Sequence, residues 1–291
     1  MKSLNEKAML VKLTVRRANL TRRDQVAESI IQAQLDDASL VVNSKLFRDK
    51  ANPINKVMTK ASEVYTYHKA HTLPYLDKGP RILPNVQYMD YTAAMRSMIN
   101  SVDSMIQQFL PQYDAFVAQD IQYRSAGKAG ARAKIEDYPT KHDFASKMGF
   151  ELRFQPLPDR KHFLFDLDDE DIKAFEESMS LAERAARDDA VKRMLTPLEH
   201  LVEKLNKPIG TDGHIFRDSA VENVVEGIEL AKKLCMDDSP EIIEMTQRLN
   251  AEVSKYATNL AWLRESPPVR EQAAKKLSDI AAQMGAFMGA V

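Results

Sequence analysis

Several things are scarce in this chain. A single cysteine in 291 residues, Cys235, leaves no partner for an intramolecular disulfide and excludes a zinc site built from thiolates alone. A reducing cytoplasm is the expected setting. Nine glycines are few for the glycine-rich turns by which dinucleotide and nucleoside triphosphate sites bring backbone amides to phosphate. No apolar run approaches the roughly 18 residues that a membrane helix needs, and Met1 to Leu10, with Lys2, Glu6 and Lys7, has no apolar stretch suited to a secretory signal. Net charge is also missing. The 41 Lys+Arg against 42 Asp+Glu exclude a wholesale basic protein, so affinity for a polyanion has to come from local patches. There is no G-x-S-x-G nucleophile elbow, and Cys235 falls on the apolar side of a helical stretch, where a buried thiol is inert.

What is present is length and periodicity. With 44% hydrophobic residues, the chain can bury a substantial core in one or two domains. Met9 to Arg16 alternates apolar and polar residues and predicts a half-buried strand. Thr21 is the expected cap of a following helix in which Val26, Ile30, Ala33 and Gln34 to Leu35 keep helical spacing, and Ser39 to Val42 reads as a second strand. Asn52-Pro53 predicts a helix start, with Ile54, Val57, Met58, Ala61, Val64, Tyr65 and His68 continuing one face to about His71. Tyr91, Met95, Met98, Val102, Met105 and Phe109 are spaced 4,3 like a helix packed lengthwise on another helix, with a kink at Pro111 and continuation to about Tyr123.

A short helix at His142 to Lys147 leads into a strand at Phe150 to Phe154, with Phe163 to Phe165 as its expected hairpin partner. From Asp168 onward the pattern is almost purely helical: one stripe from Ile172 to Leu205 with a cap and restart at Thr196-Pro197, another from Val221 to Leu234, a third from Ile242 to Leu263, and a last from Ala273 to Phe287. The fold class expected is α+β, mostly α. It comprises a small antiparallel sheet with long helices over residues 1–165, then an antiparallel helical bundle or array over 166–291.

Four places can carry chemistry. Arg16, Arg17, Arg22 and Arg23 flank the turn between the first strand and helix. Residues 1–23 hold seven Lys+Arg and one acid, so the cluster can bind phosphate by charge and bidentate donation, or simply solvate a surface and pair with Asp24 or Glu28. Arg124, Lys128, Arg132 and Lys134 form a second cationic segment. It lacks the G-x-x-x-x-G-K-[ST] spacing, so it reads as a loop that orders on nucleic acid or as an ordinary solvated loop. Tyr67 and Tyr75, beside His68 and His71, can stack on bases or fill the interface of a helix and a loop, and no H-E-x-x-H pattern accompanies the histidines. Asp166 to Asp171 can hold a divalent cation or start a helix, where acids sit well against the positive end of the dipole.

Tyr67-His68, Thr72-Leu73-Pro74-Tyr75, Arg81-Ile82-Leu83-Pro84, Tyr88, Tyr91, Met95-Arg96, Asp137-Tyr138-Pro139, Phe150 to Phe154 with Pro156-Leu157-Pro158, and Phe216-Arg217-Asp218-Ser219 with Glu222-Asn223 together resemble a family of tailed-bacteriophage and prophage proteins of unknown function. Tyr75 stands where that family's pattern has Trp. The resemblance implies a protein made in the cytoplasm of an infected bacterium and acting in replication, recombination or host takeover; it implies no activity and no site residue.

The expectation is a non-enzymatic, oligomeric accessory protein that binds nucleic acid, single-stranded DNA being the favoured form. Arg16, Arg17, Arg22, Arg23, Arg124, Lys128, Arg132 and Lys134 would contact phosphate and Tyr67 or Tyr75 would stack on bases, without cofactor, metal or membrane. The alternative is a helical scaffold acting through contacts with its own copies or with a host or phage protein, for which the 4,3 spacing and the 14 methionines speak.

Overall fold

The computed structural model describes residues 4–76, 79–125, 134–158, 168–207, 216–236, 240–258 and 260–289. It is α+β and mostly α. A one-turn helix α1 (Leu4–Lys7) precedes strand β1 (Ala8–Arg16). Then follow β2 (Thr21–Arg23), α2 (Gln25–Leu35), β3 (Asn43–Lys45), α3 (Pro53–Ala70), β4 (Leu73–Pro74), β5 (Arg81–Pro84) and α4 (Tyr88–Phe109). After a 3-10 turn at Leu110–Gln112 come α5 (Tyr113–Ser125), α6 (Lys141–Lys147) and β6 (Gly149–Pro156). The remaining elements are α7 (Asp169–Asn206), α8 (Ser219–Leu234), α9 (Pro240–Ala257), α10 (Ala261–Glu265) and α11 (Pro267–Gly289). One sheet has the order β4-β5-β1-β6 and a second consists of β2 and β3.

The chain divides into two compact units, and not at a single boundary near residue 165. Unit 1 comprises Met1–Lys12, Ala70–Asp90 and Phe154–Val291; unit 2 comprises Leu13–Lys69 and Tyr91–Arg153. The N-terminal residues and the β4–β5 hairpin therefore belong with the helical part.

In unit 1, α7 packs against α8 and α11, α8 against α9, and α9 against α11. Leu198, Val224, Ile228, Leu249, Leu277 and Met284 are fully buried between them, which is what the apolar stripes in the sequence anticipate. A second cluster joins Leu4, Ala8, Leu10, Leu73 and Ile82 to Ala186 and Ala190 of α7 and Leu234 of α8. Here β1 runs antiparallel to β5, with Ala8 opposite Pro84 and Val11 opposite Arg81. The entry to β4 is tied down by two guanidinium groups that donate to the Thr72 carbonyl, Arg81 at 2.8 Å and Arg193 at 2.9 Å. At the other end of α7 the carbonyls of Lys204 and Leu205, which no helical amide can satisfy, accept from Arg270 of α11.

Two features of α7 bear on expectations. Its first turn is capped by Asp168, whose carboxylate accepts from the Asp171 amide at 2.8 Å, so the described part of the acidic run is a helix start. Its middle does not restart at Thr196-Pro197, because Pro197 lies inside a continuous helix. Proline removes the amide that would bond the Arg193 carbonyl, and α8 packs across this turn at Gly227. A Cβ on Gly227 would come within 2.8 Å of the Arg193 carbonyl oxygen and 3.2 Å of Pro197 Cγ. The predicted stripe from Ile242 to Leu263 is likewise divided, into α9 and α10.

Unit 2 is organised by aromatics. Phe47, Phe109, Tyr113, Tyr138 and Phe144 are buried together, with Phe47 edge-on to Tyr138 at 5.2 Å and Phe109 edge-on to Tyr113 at 5.7 Å. Burial pushes the Tyr113 hydroxyl up to about 12, and it donates to the Pro139 carbonyl at 2.6 Å. Of the 4,3 stripe of α4, Tyr91, Met95, Val102 and Phe109 are buried within the chain, and Met98 and Met105 are half-buried. Asn52 bonds the Ile54 amide at 3.1 Å ahead of Pro53, as its position predicts. Thr21, in contrast, is a residue of β2, and the cap of α2 is Asp24, which accepts from the Ala27 amide at 3.2 Å. The strand expected at Ser39 to Val42 forms later, at Asn43–Lys45. Phe163 to Phe165 lie outside the described residues. Among the described residues no helix is long and apolar enough to cross a membrane.

Substituting Gly227→Ala should lower stability by about 1–3 kcal/mol, because the methyl meets backbone that a packed helix pair cannot easily yield. Urea denaturation checks this, and an unchanged midpoint would mean that α8 shifts freely over Pro197.

Candidate nucleic-acid interface

The first cationic segment of the sequence and the described ends of the second, Arg124 and Lys134, meet in unit 2 at the antiparallel β2–β3 pair. Between β1 and β2, Ala18 and Leu20 are buried anchors while Arg17 and Asn19 are exposed. Asn19 accepts from the Thr21 amide and hydroxyl at 3.0 and 2.7 Å, shaping the turn. The hairpin pairs Thr21 with Lys45, Arg22 with Ser44 and Arg23 with Asn43. Strand alternation then sends Arg22 inward, where its guanidinium meets Asp137 at 2.9 Å, and Arg23 outward. Arg23 grips Glu28 with two hydrogen bonds of 2.8 and 2.6 Å. That bonding holds the Glu28 carboxyl below its ordinary value and raises Arg23.

Beneath the hairpin lies a buried carboxylate. Asp120 of α5 is wholly excluded from solvent and accepts four hydrogen bonds. These come from the Phe47 amide (2.8 Å), the Arg48 amide (2.9 Å), Arg124 Nε (2.9 Å) and the Tyr138 hydroxyl (2.6 Å). Burial by itself would raise this carboxyl. The Tyr138 hydroxyl, the Arg124 guanidinium and the Phe47 amide outweigh burial and hold it below the usual carboxylate range. Burial and then the bond to Asp120 push Tyr138 well above its ordinary value. Arg124 continues upward to Ser44 Oγ at 3.1 Å and to the Lys45 carbonyl. Asp137, which holds Arg22, also accepts from the Lys134 amide at 2.7 Å. The end of the second cationic segment is thereby fixed beside the first.

This arrangement sorts the expected residues. Arg124 is removed from the phosphate-contacting set: its side chain is 2% exposed and paired with Asp120. Arg22 is likewise engaged inward, with 16% of its side chain exposed. Arg16, Arg17 and Lys134 are exposed, and Arg23 keeps more than half of its side chain in solvent while bound to Glu28. Lys128 and Arg132 lie outside the described residues. Tyr67 lies 6.3 Å from the Tyr91 ring and nearly parallel to it, which covers one of its faces. Tyr91 and His68 share a buried hydrogen bond of 2.7 Å. Tyr75 belongs to unit 1, half-buried on Met179 with its hydroxyl raised by burial. Neither tyrosine presents two open faces.

The sequence reading missed Lys45, Arg48 and Lys50. All three are exposed, on β3 and the turn after it. Nothing local marks them, since only the pairing of β2 with β3 brings them to the basic segment. It also missed Tyr123, 56% exposed on α5 next to Arg124, whose signal was its place one residue from the buried face of that helix. Among the described residues no group of three His, Cys, Asp or Glu side chains is placed to hold a metal.

Comparison with protein-family models, with curated proteins and with solved structures finds no match to this chain.

Removing the Asp120 carboxylate strands Arg124 without a counter-ion, so Asp120→Ala should cost about 3–5 kcal/mol, and Tyr138→Phe about 1.5–3 kcal/mol. Because the folded-state value of Asp120 is depressed, its contribution is complete above about pH 4 and is lost as pH falls through that lowered value. Chemical denaturation of the wild type and Asp120→Asn across acid pH should show their difference shrinking below about pH 4. A difference that stays constant there would contradict the assignment.

Proposed function

We propose that this chain is a non-enzymatic nucleic-acid-binding protein, with unit 2 as the binding unit and single-stranded DNA as the favoured ligand. The observation that carries the reading is the convergence of residues 16–23 and 134–137 at one hairpin, joined by the Arg22 to Asp137 ion pair. Charge distribution supports it. Unit 2 holds 18 Lys+Arg against 13 Asp+Glu, a net of +5, whereas unit 1 holds 23 against 29, a net of −6. A polyanion is attracted to the first and repelled by the second.

In this reading the cations divide by role. Arg22 and Arg124, each paired with a carboxylate, position the hairpin. Arg16, Arg17, Lys45, Arg48, Lys50 and Lys134 neutralise phosphates and release their counter-ions. Tyr123, exposed beside Arg124 on α5, offers a ring on which an unpaired base can stack. Stacking needs a base free of its partner, which is why a single strand is favoured over a duplex. The resemblance to the phage and prophage family supports an accessory role in replication, recombination or host takeover in the cytoplasm of an infected cell.

Fluorescence anisotropy against labelled single-stranded and duplex oligonucleotides at several salt concentrations tests this. The expected result is binding that weakens steeply with salt, with Arg17→Ala reducing the slope of log K against log salt by about 0.7 on a single strand. Tyr123→Ala should cost about 1–3 kcal/mol of affinity, and Tyr75→Phe should leave it unchanged. Absence of binding at low salt, or binding indifferent to salt, would overturn the proposal.

A further inference from the structure

The helix α2 is turned inside out relative to an ordinary surface helix. Its one buried side chain is an acid, Glu28, at 6% exposure, while Val26 and Ile30 stand 60% and 54% exposed and Ala33 continues the same row in solvent. A helix this amphipathic is expected to bury its apolar row. Polar bonds on the opposite side hold it the other way. Glu28 is clamped by Arg23 and accepts from the Val42 amide at 3.2 Å, and Gln32 Nε2 donates to the carbonyls of Ala38 and Leu40 at 3.1 and 2.7 Å. With Asp24 capping the first turn, the orientation is fixed at three successive levels, so the apolar row faces outward because the inner face is fully engaged.

The two ends of this helix carry opposite charge. Before it stand Arg17 and Arg23, both exposed, Arg23 while bonded to Glu28; after it stand Asp36 and Asp37, exposed, with the Asp37 carboxylate bonded locally to Ser39. We infer that α2 is the contact by which this chain pairs with a second copy of itself, the two helices running antiparallel about Ile30. In that arrangement Val26 of each copy meets Ala33 of the other, the arginine end of each meets the aspartate end of the other, and the helix dipoles oppose. The pairing is isologous and closes on itself as a dimer. A parallel arrangement would set arginines against arginines and aspartates against aspartates. An 11-residue helix spans only about 16 Å, so the contact belongs with interfaces below about 1,200 Å² and the dimer is a weak, reversible one.

Sedimentation equilibrium of the whole chain from low micromolar to sub-millimolar concentration should show the mass rising toward that of a dimer. Ile30→Glu should weaken the association at least about tenfold while changing the thermal midpoint little, since more than half of Ile30 already stands in solvent. Geometry is read by cysteine pairing in a Cys235→Ser background. Ile30→Cys should cross-link to itself, and Val26→Cys should cross-link with Ala33→Cys in a mixture rather than with its own kind. A chain that stays monomeric throughout overturns the inference. So does a dimer indifferent to Ile30→Glu, self-linking of Val26→Cys, or a monomer whose α2 row instead binds lipid vesicles. None of these outcomes bears on DNA affinity measured at concentrations where the chain is monomeric.

Discussion

One carboxylate, that of Asp120, sets the geometry of unit 2. A charge wholly removed from water is tolerable only when every lone pair facing the interior has a donor, and the four donors that meet it come from three separate stretches of chain. The Phe47 and Arg48 amides fix the turn after β3, Tyr138 fixes the stretch leading to α6, and Arg124 belongs to the same helix as the acid. Arg124 then reaches the β2–β3 hairpin from below. The aromatic cluster supplies the dry surroundings, and the carboxylate supplies the directional bonds that such rings lack. Which cations of this unit are left for solvent or ligand follows from which ones that carboxylate and its neighbours Asp137 and Glu28 have already engaged.

That division inverts a simple reading of charge. Clustered arginines suggest a phosphate site, yet guanidinium groups serve equally well as struts, because their planar fork satisfies carbonyls and carboxylates at once. Here Arg22, Arg81, Arg124, Arg193 and Arg270 all act in that way, bonding carbonyl or carboxylate oxygens. Other cations stay at the surface, Arg16, Arg17 and Lys134 among them, and Arg23 does so while bonded to Glu28. Near-zero net charge over the whole chain conceals a positive unit and a negative one.

The long elements were legible because their apolar period is uninterrupted: β1, α3, α4 with its break at Pro111, and the four long helices of unit 1 follow directly from spacing. The missed features share a cause. The continuity of α7 through Pro197, where α8 packs at Gly227, and the division between α9 and α10 are not encoded by period. The β2–β3 hairpin has three-residue strands of mainly polar residues, below what alternation can register. Val26 and Ile30 have the spacing of a core face but stand in solvent, because Glu28 and Gln32 find their partners elsewhere in the chain. Of the candidate site, Arg16, Arg17 and Lys134 could be read from composition; Lys45, Arg48 and Lys50 could not, since they join the cluster only through strand pairing. Arg124 was misread for the complementary reason, that its counter-ion is one helical turn away and buried.

The division of the chain into interleaved units has a consequence for its synthesis. All of unit 2 lies before residue 154, whereas unit 1 draws on the first 12 residues, a short middle segment and everything after residue 153. During translation, therefore, unit 2 has its full sequence out of the ribosome first, while the apolar residues of Leu4 to Leu10 and of the β4–β5 hairpin must wait for α7 and α8 to emerge and cover them. For the time it takes to make those helices, at about 5–20 residues per second, the nascent chain carries one finished unit flanked by uncovered pieces of another. A stop codon ahead of α7 would leave those pieces without the helices that cover them.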